Sequence, residues 1–222
     1  PSFFAALEDV CRLSAGMTYK NAAAGLPLGG GKAVILADPA TQKTSALLRA
    51  FGRALETLNG RYYTAEDMGV TPEDMAQIAT ETAYVAGLPT GTFASGDPSP
   101  ITARGIFNAI LTTHSSRHGH KDLSARRVSL QGLGHVGWHL AQLLREAGAE
   151  LTVTDMDPER VDAATRAFDA TTVAPEAIYA TQADIFCPCA IGGVLNSATI
   201  PQLRFSMVVG GANNQLATSA DA

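Results

Sequence analysis

The chain has 222 residues, with 16 Lys+Arg against 21 Asp+Glu for a net charge of −5, and 46% of the residues are hydrophobic. That length allows one large domain or two modest ones with ample core, and an acidic chain without a long Lys/Arg cluster argues against nucleic acid or an anionic membrane as the main partner. No run approaches the roughly 18 apolar residues of a membrane helix, and three cysteines build no disulfide framework, which fits a reduced, cytoplasmic setting.

In chain order, Phe3 to Ala15 reads as a helix with Phe4, Leu7, Val10 and Cys11 on one stripe. A glycine-dense stretch, Gly25 to Gly31, leads into a short apolar strand, Ala33 to Leu36. Thr41 to Leu58 reads as a second helix stopped by Asn59-Gly60, and the tyrosines of Arg61 to Ala65 as a strand. Thr71 can cap a third helix, with Pro72 suited to its first turn and Glu73 and Asp74 to the positive end of its dipole. Gly87 to Pro100 reads as a linker or functional loop, and the boundary between two domains is placed near residue 88. A helix then runs from Ser99-Pro100 to about Ser116, with Ile101, Phe107, Ile110 and Leu111 apolar. From Arg127 the pattern becomes strand, helix, strand: Val128 to Leu130, a helix to Ala147, Gly148 as a stop, then Glu150 to Thr154. Apolar segments follow at Ala183 to Cys187 and Met207 to Gly210. This alternation predicts an α/β protein with a doubly wound parallel sheet. The start at Pro1 and the polar tail after an apolar segment read as a chain cut at both ends.

Gly132-Leu-Gly134-His135-Val136-Gly137 fits G-x-G-x-x-G. The pattern is common by chance, but here it follows a predicted strand, opens a helix, and precedes Asp155 at the end of the next strand. Gly132 permits the tight turn, Gly134 lets the backbone approach a pyrophosphate, and Gly137 lets the helix pack close. The helix N-terminus offers N–H groups and a positive dipole end to phosphates. Asp155 can accept hydrogen bonds from the adenosine ribose and would repel a 2′-phosphate, so the expected cofactor is NAD rather than NADP.

The first half carries a different signal. Lys20 lies in Met17-Thr-Tyr-Lys20 and Lys32 follows Gly29-Gly-Gly. The latter is not a phosphate-binding P-loop: Gly25 to Gly31 is one residue too long, and Ala33 replaces the Ser/Thr that would hold Mg²⁺. Glycines before a lysine do leave room for a substrate beside the amine, and desolvation there favours proton exchange near neutrality. The bland alternative is a solvated lysine at a strand start. Glu66-Asp67, expected at a strand end, is either a catalytic acid or an ordinary turn.

Together, Met17-Thr-Tyr-Lys-Asn-Ala-Ala-Ala-Gly25, Leu28-Gly-Gly-Gly-Lys32, Ala65-Glu-Asp-Met-Gly69, Gly96-Asp-Pro-Ser-Pro100 and Gly211-Ala-Asn-Asn-Gln215 resemble the amino-acid dehydrogenases of the Glu/Leu/Phe/Val family, in order and spacing across nearly the whole chain. Within it the sequence is similar to the leucine, valine and phenylalanine enzymes; glutamate enzymes typically have Trp where Tyr19 stands and Gly-Gly-Ala-Lys-Gly where this chain has Gly30-Gly31-Lys32-Ala33. The resemblance implies a partial α/β substrate domain over 1–88 and a Rossmann-type, NAD-binding sheet over 89–222. It implies NAD-dependent oxidative deamination of an apolar L-amino acid, with no metal and with a homo-oligomer for the full-length protein. Glutamate as substrate, or a truncated dinucleotide-binding module without catalysis, are the alternatives. By the same resemblance Lys20 binds the substrate carboxylate, Lys32 activates water, and Asp67 relays protons, while Met17, Ala65 and Asn214 line the substrate. Thr102, Cys189, Ala190 and Asn213 line the cofactor crevice with the glycine turn, including His135 and Val136, and with Asp155. The family's N-terminal glycine-rich strand and its C-terminal helices are not in this sequence.

His114, His118 and His120 look like a metal cluster but are expected on a solvated face at a helix end, beside Arg117 and Lys121. His135 and His139 lack the glutamate of H-E-x-x-H, and Cys187-Pro-Cys189 lacks C-x-x-C spacing, so His135 is read as a loop residue over the pyrophosphate and the cysteines as buried at a strand end.

Overall fold

Ser2 accepts a hydrogen bond from the Ala5 N–H and so starts α1, Phe3–Ala23, in a computed structural model that describes residues 2–91 and 94–222. The helix runs past the expected Ala15 and carries Met17 and Lys20. Its apolar stripe is not a core: Ala6 and Asn21 are its buried residues, while Phe3, Phe4, Leu7 and Tyr19 are exposed. The chain divides into two units at Pro98/Ser99, later than residue 88, because Leu88 still packs on the core of the first unit. Of the loop expected over Gly87 to Pro100, Thr92 and Phe93 lie outside the described residues.

The first unit is organised by two further helices. Thr44 caps α2, Ser45–Glu56, by accepting from the Leu47 N–H. Thr71 and Asp74 form the capping box of α3, Pro72–Ile78, as the sequence predicts. Leu48 and Leu55 of α2 and Met75 and Ile78 of α3 make a small core that Phe51, Tyr62, Val70 and Val85 complete. Two expected strands are absent. Residues 33–36 have no ladder, with Val34 and Leu36 half exposed, and Arg61–Ala65 contributes a single bridge, Thr64 to Val85. β-rich composition makes a strand only where a partner backbone takes up the hydrogen bonds.

The second unit is α/β. α4, Ser99–His118, precedes β1, Arg127–Gln131; α5, His135–Glu146; β2, Glu150–Thr154; α6, Pro158–Phe168; β3, Thr171–Thr172; β4, Ile185–Pro188; and β5, Met207–Val208. α6 and β3 are not among the elements that the sequence predicts. All strand pairs are parallel, in the order β3-β2-β1-β4-β5, with Val128 opposite both Leu151 and Ile185. Side chains alternate across the sheet as the pleat dictates. Val128, Leu130, Ile185 and Cys187 pack with Ile110 of α4, Leu140 and Leu144 of α5 and Ala164 of α6. Phe186 faces the opposite side, with Ile178, Val194, Leu195 and Phe205. Leu140 is fully buried; truncating it to Ala costs about 2–5 kcal/mol.

His114 does not stand on a solvated face. It is wholly buried rather than solvated: its Nδ1 sits 2.9 Å from the His120 carbonyl oxygen, and its ring centroid lies 4.5 Å from that of His118 and 5.0 Å from that of His120. The turn after α4 folds back over the helix and covers it.

Candidate active site

In the first unit the glycines before Lys32 have a definite task. A Cβ on Gly30 would overlap backbone atoms of Ser14 and Thr18 in α1, and one on Gly31 would come 2.6 Å from the Tyr62 ring. The Asn21 amide donates to the Gly29 carbonyl at 2.6 Å. The loop therefore passes tightly over α1 and Tyr62 and delivers Lys32, whose ammonium donates to a carboxylate oxygen of Asp67. Asp67 stands on a turn rather than at a strand end. The Met68 N–H donates to its Oδ1 at 2.8 Å, and the Val70 N–H to its carbonyl at 3.0 Å. Burial pushes the Asp67 carboxyl up, but the hydrogen bonds from Lys32 and Met68 and the charges of Lys32 and Lys20 outweigh it and hold the group below the ordinary carboxylate value.

Lys32 and Asp67 border a cavity of about 400 Å³. Met17 and Ala65 also line it, so four of the expected residues meet there, and Leu47, Phe51, Met75 and Ile78 give it an apolar floor. Lys20 is exposed near the end of α1 and acts on Asp67 through its charge. Sequence reasoning missed Lys43, whose ammonium also lines the cavity and bonds the Gly69 carbonyl and Asp74; its only local signal is its place just before the Thr44 cap.

In the second unit the glycine turn has the expected form. Gly132 has φ +96°, and a Cβ on it would lie 2.9 Å from the backbone of Cys189 and Ala190. A Cβ on Gly137 would overlap the Gly132 carbonyl oxygen. Gly134 differs: it caps α5 without a side chain, and around its Cβ position the nearest atom is Arg160 Nη1 at 3.9 Å. This open cradle at a helix N-terminus fits a phosphate-bearing dinucleotide. His135 is the first residue of α5 rather than a loop residue. Asp155 accepts from the Leu133 N–H at 2.6 Å and from the Asp157 N–H at 2.9 Å, which aims its carboxylate at the turn. Cys189 and Ala190 adjoin Gly132, and the Cys189 N–H donates to the Gln131 carbonyl at 2.7 Å. Burial pushes the Cys189 thiol up to about 11, so it stays protonated and unreactive near neutrality. Asn213 and Asn214 pack on Gly192, and Asn214 accepts from the Gly193 N–H. Thr102 is exposed in the first turn of α4.

Residues 4–84 match the model of the Glu/Leu/Phe/Val dehydrogenase dimerisation domain. The chain is 50% identical over 211 residues to a leucine dehydrogenase of Geobacillus stearothermophilus, an alignment covering 95% of this chain and 58% of that protein. It is 50% identical over 212 residues to an L-tryptophan dehydrogenase of Nostoc punctiforme, covering 96% and 59%. The crystal structure of the L-tryptophan dehydrogenase from Nostoc punctiforme matches with a TM-score of 0.71 at 46% identity, over 98% of this chain and 61% of that one. That of the hetero-hexameric glutamate dehydrogenase from Thermus thermophilus, in its Leu-bound form, matches at 0.73 and 26% identity, over 93% and 57%. The chain thus spans less than two thirds of the length of each of these relatives. With half of its residues shared across both units, and with the glycine turn and the Lys20 and Lys32 segments on one sequence, the chain is similar to the Glu/Leu/Phe/Val dehydrogenases over nearly its whole length.

Proposed function

We propose that this chain carries the reacting residues of an NAD-dependent dehydrogenase that converts an apolar L-amino acid to its 2-oxo acid and ammonia. The observation that carries the reading is the Lys32–Asp67 pair on the rim of an apolar-floored cavity. Lys20 supplies a cation for the substrate carboxylate. Lys32, as the ammonium that Asp67 holds, polarises the water that adds to the imino carbon and stabilises the oxygen charge that develops as that water gives up its proton to solvent. Asp67, kept ionised by Lys32 and Lys20, takes a proton from the amino group and returns one as ammonia leaves. When bound, NAD supplies the acceptor for the hydride of the substrate Cα. The glycine turn, Asp155, Thr102, Cys189, Ala190 and Asn213 hold that cofactor, and Met17, Ala65 and Asn214 border the substrate.

Leu47, Phe51, Met75 and Ile78 give the cavity an apolar floor, and its further cation, Lys43, is already bonded to Asp74 and the Gly69 carbonyl, which favours an apolar side chain over glutamate. The same reading makes the full-length protein a homo-oligomer, in keeping with the dimerisation-domain match, and places it in the cytoplasm, in keeping with three free cysteines. The test is NADH formation by the full-length protein with Leu, Val, Phe, Trp and Glu. Turnover on the apolar substrates supports the reading. Turnover on Glu alone overturns the substrate class, and dinucleotide binding without turnover on any of them would make the chain a binding module.

A further inference from the structure

The turn between β2 and α6 brackets the glycine loop from two sides. Asp155 holds the Leu133 N–H, while the Arg160 guanidinium stands nearest to the open face of the next residue, Gly134. Arg160 is not loose: its Nε lies 3.2 Å from Asp157 Oδ2, and Asp157 caps α6 through the Glu159 N–H. Both partners of that pair are about half exposed, so the pair is weak and the guanidinium can be re-aimed at a ligand oxygen without breaking the fold. The corner therefore holds a cation on the same turn as Asp155, the residue read as meeting the adenosine ribose, screened by two aspartates.

We propose that Arg160 is a latent specificity residue for the 2′-phosphate of NADP, which Asp155 shuts out by charge and Asp157 by occupying the guanidinium. This rests on the dinucleotide reading of the Gly132–Gly137 turn. In a Rossmann site an acid at the end of the second strand selects the free ribose hydroxyl, and a nearby arginine accepts the 2′-phosphate; this chain carries both, Asp155 just after β2 and Arg160 in the first turn of α6. Removing the acid alone then suffices to admit NADP, because the arginine is already in place.

The experiment is fluorescence titration of the full-length protein with NADH and NADPH, a readout independent of turnover. Asp155→Ser is expected to bind NADPH about tenfold or more tightly than the parent, and Asp155→Ser/Arg160→Ala to lose most of that gain. An undiminished gain in the double variant overturns the proposal. Should loss of the Leu133 and Asp157 hydrogen bonds unfold the Asp155→Ser variants, Asp155→Asn, whose amide oxygen still accepts from a backbone N–H, replaces them. Its gain for NADPH over NADH should be lost again in Asp155→Asn/Arg160→Ala, and a gain that survives loss of the arginine, or no gain at all, overturns the proposal. Failure of the parent to bind either cofactor would instead overturn the dinucleotide reading beneath it.

Discussion

Lys43 donates to the Asp74 carboxylate at 2.6 Å and to the Gly69 carbonyl at 3.1 Å, so one ammonium ties the chain ahead of α2 to the start of α3 and to the turn behind Asp67. Asp74 is buried, and the oxygen that receives Lys43 also accepts from the Thr71 N–H in the capping box. A methionine at position 43 keeps the stem and removes the charge, leaving that carboxylate buried and half satisfied. Lys43→Met should cost about 1–3 kcal/mol, read as a lowered denaturant midpoint, and Asp74→Asn should cost less because the amide oxygen still accepts from Thr71. Equal stability of Lys43→Met and parent would show that the pair is merely superficial.

Lys20 and Lys32 are separable by kinetics. If Lys20 holds the carboxylate equally in ground and transition states, Lys20→Ala chiefly raises KM. Lys32 touches Asp67 directly and polarises the water that gives up its proton, so Lys32→Ala should lower kcat by about a hundredfold to ten-thousandfold. NAD affinity should change little, since Lys32 belongs to the first unit and the glycine turn to the second. Asp67→Asn should follow Lys32→Ala. A Lys20→Ala variant that loses as much kcat at unchanged KM would reverse the assignment.

How much of this was legible beforehand depends on whether the deciding interaction is local. The Gly132–Gly137 turn, the Thr71 capping box and the strands on either side of α5 follow from residues a few positions apart, and the structure has them. Residues 33–36 and 61–65 have strand composition, but pairing depends on distant backbone that their own sequence does not encode. α6 went unmarked because its face is mostly polar, although Asp157-Pro158-Glu159 is a helix start in plain view. His114 was misplaced because its burial is decided by the returning turn at His120, and the contact of Arg160 with the Gly134 face is tertiary.

The histidine cluster predicts an acid-sensitive stability. Partial desolvation and the nearby His114, Arg126, Arg117 and His120 push the His118 pKa below its ordinary value of 6.5. The unfolded chain then takes up this proton at a higher pH than the folded one. Binding more protons, the unfolded state gains as pH falls through that window, so stability drops from about pH 7 downward. Asp67, held below 3.8 when folded, adds a separate loss only at and below that value. His118→Gln should flatten the upper part of the profile, followed by urea unfolding at several pH values. A parent whose stability is flat from pH 7 to 5 would contradict the shift.

Gly134 and Gly137 lie three positions apart and should fail in opposite ways. Gly134 has φ −64° and ψ −173°, a conformation any residue adopts, and the nearest atom to an added Cβ is 3.9 Å away. Gly134→Ala should therefore fold, losing about 1 kcal/mol for a poorer N-cap, while its methyl occupies the space through which a pyrophosphate approaches the backbone. Dinucleotide affinity should fall about tenfold or more. Gly137→Ala puts its methyl onto the Gly132 carbonyl oxygen, so α5 must move off β1, and overpacking of this kind costs about 1–3 kcal/mol. That variant should lose stability first and binding as a consequence. Urea unfolding alongside NADH titration separates the two, and a Gly134→Ala variant that binds NADH like the parent would mean that no phosphate approaches the backbone there.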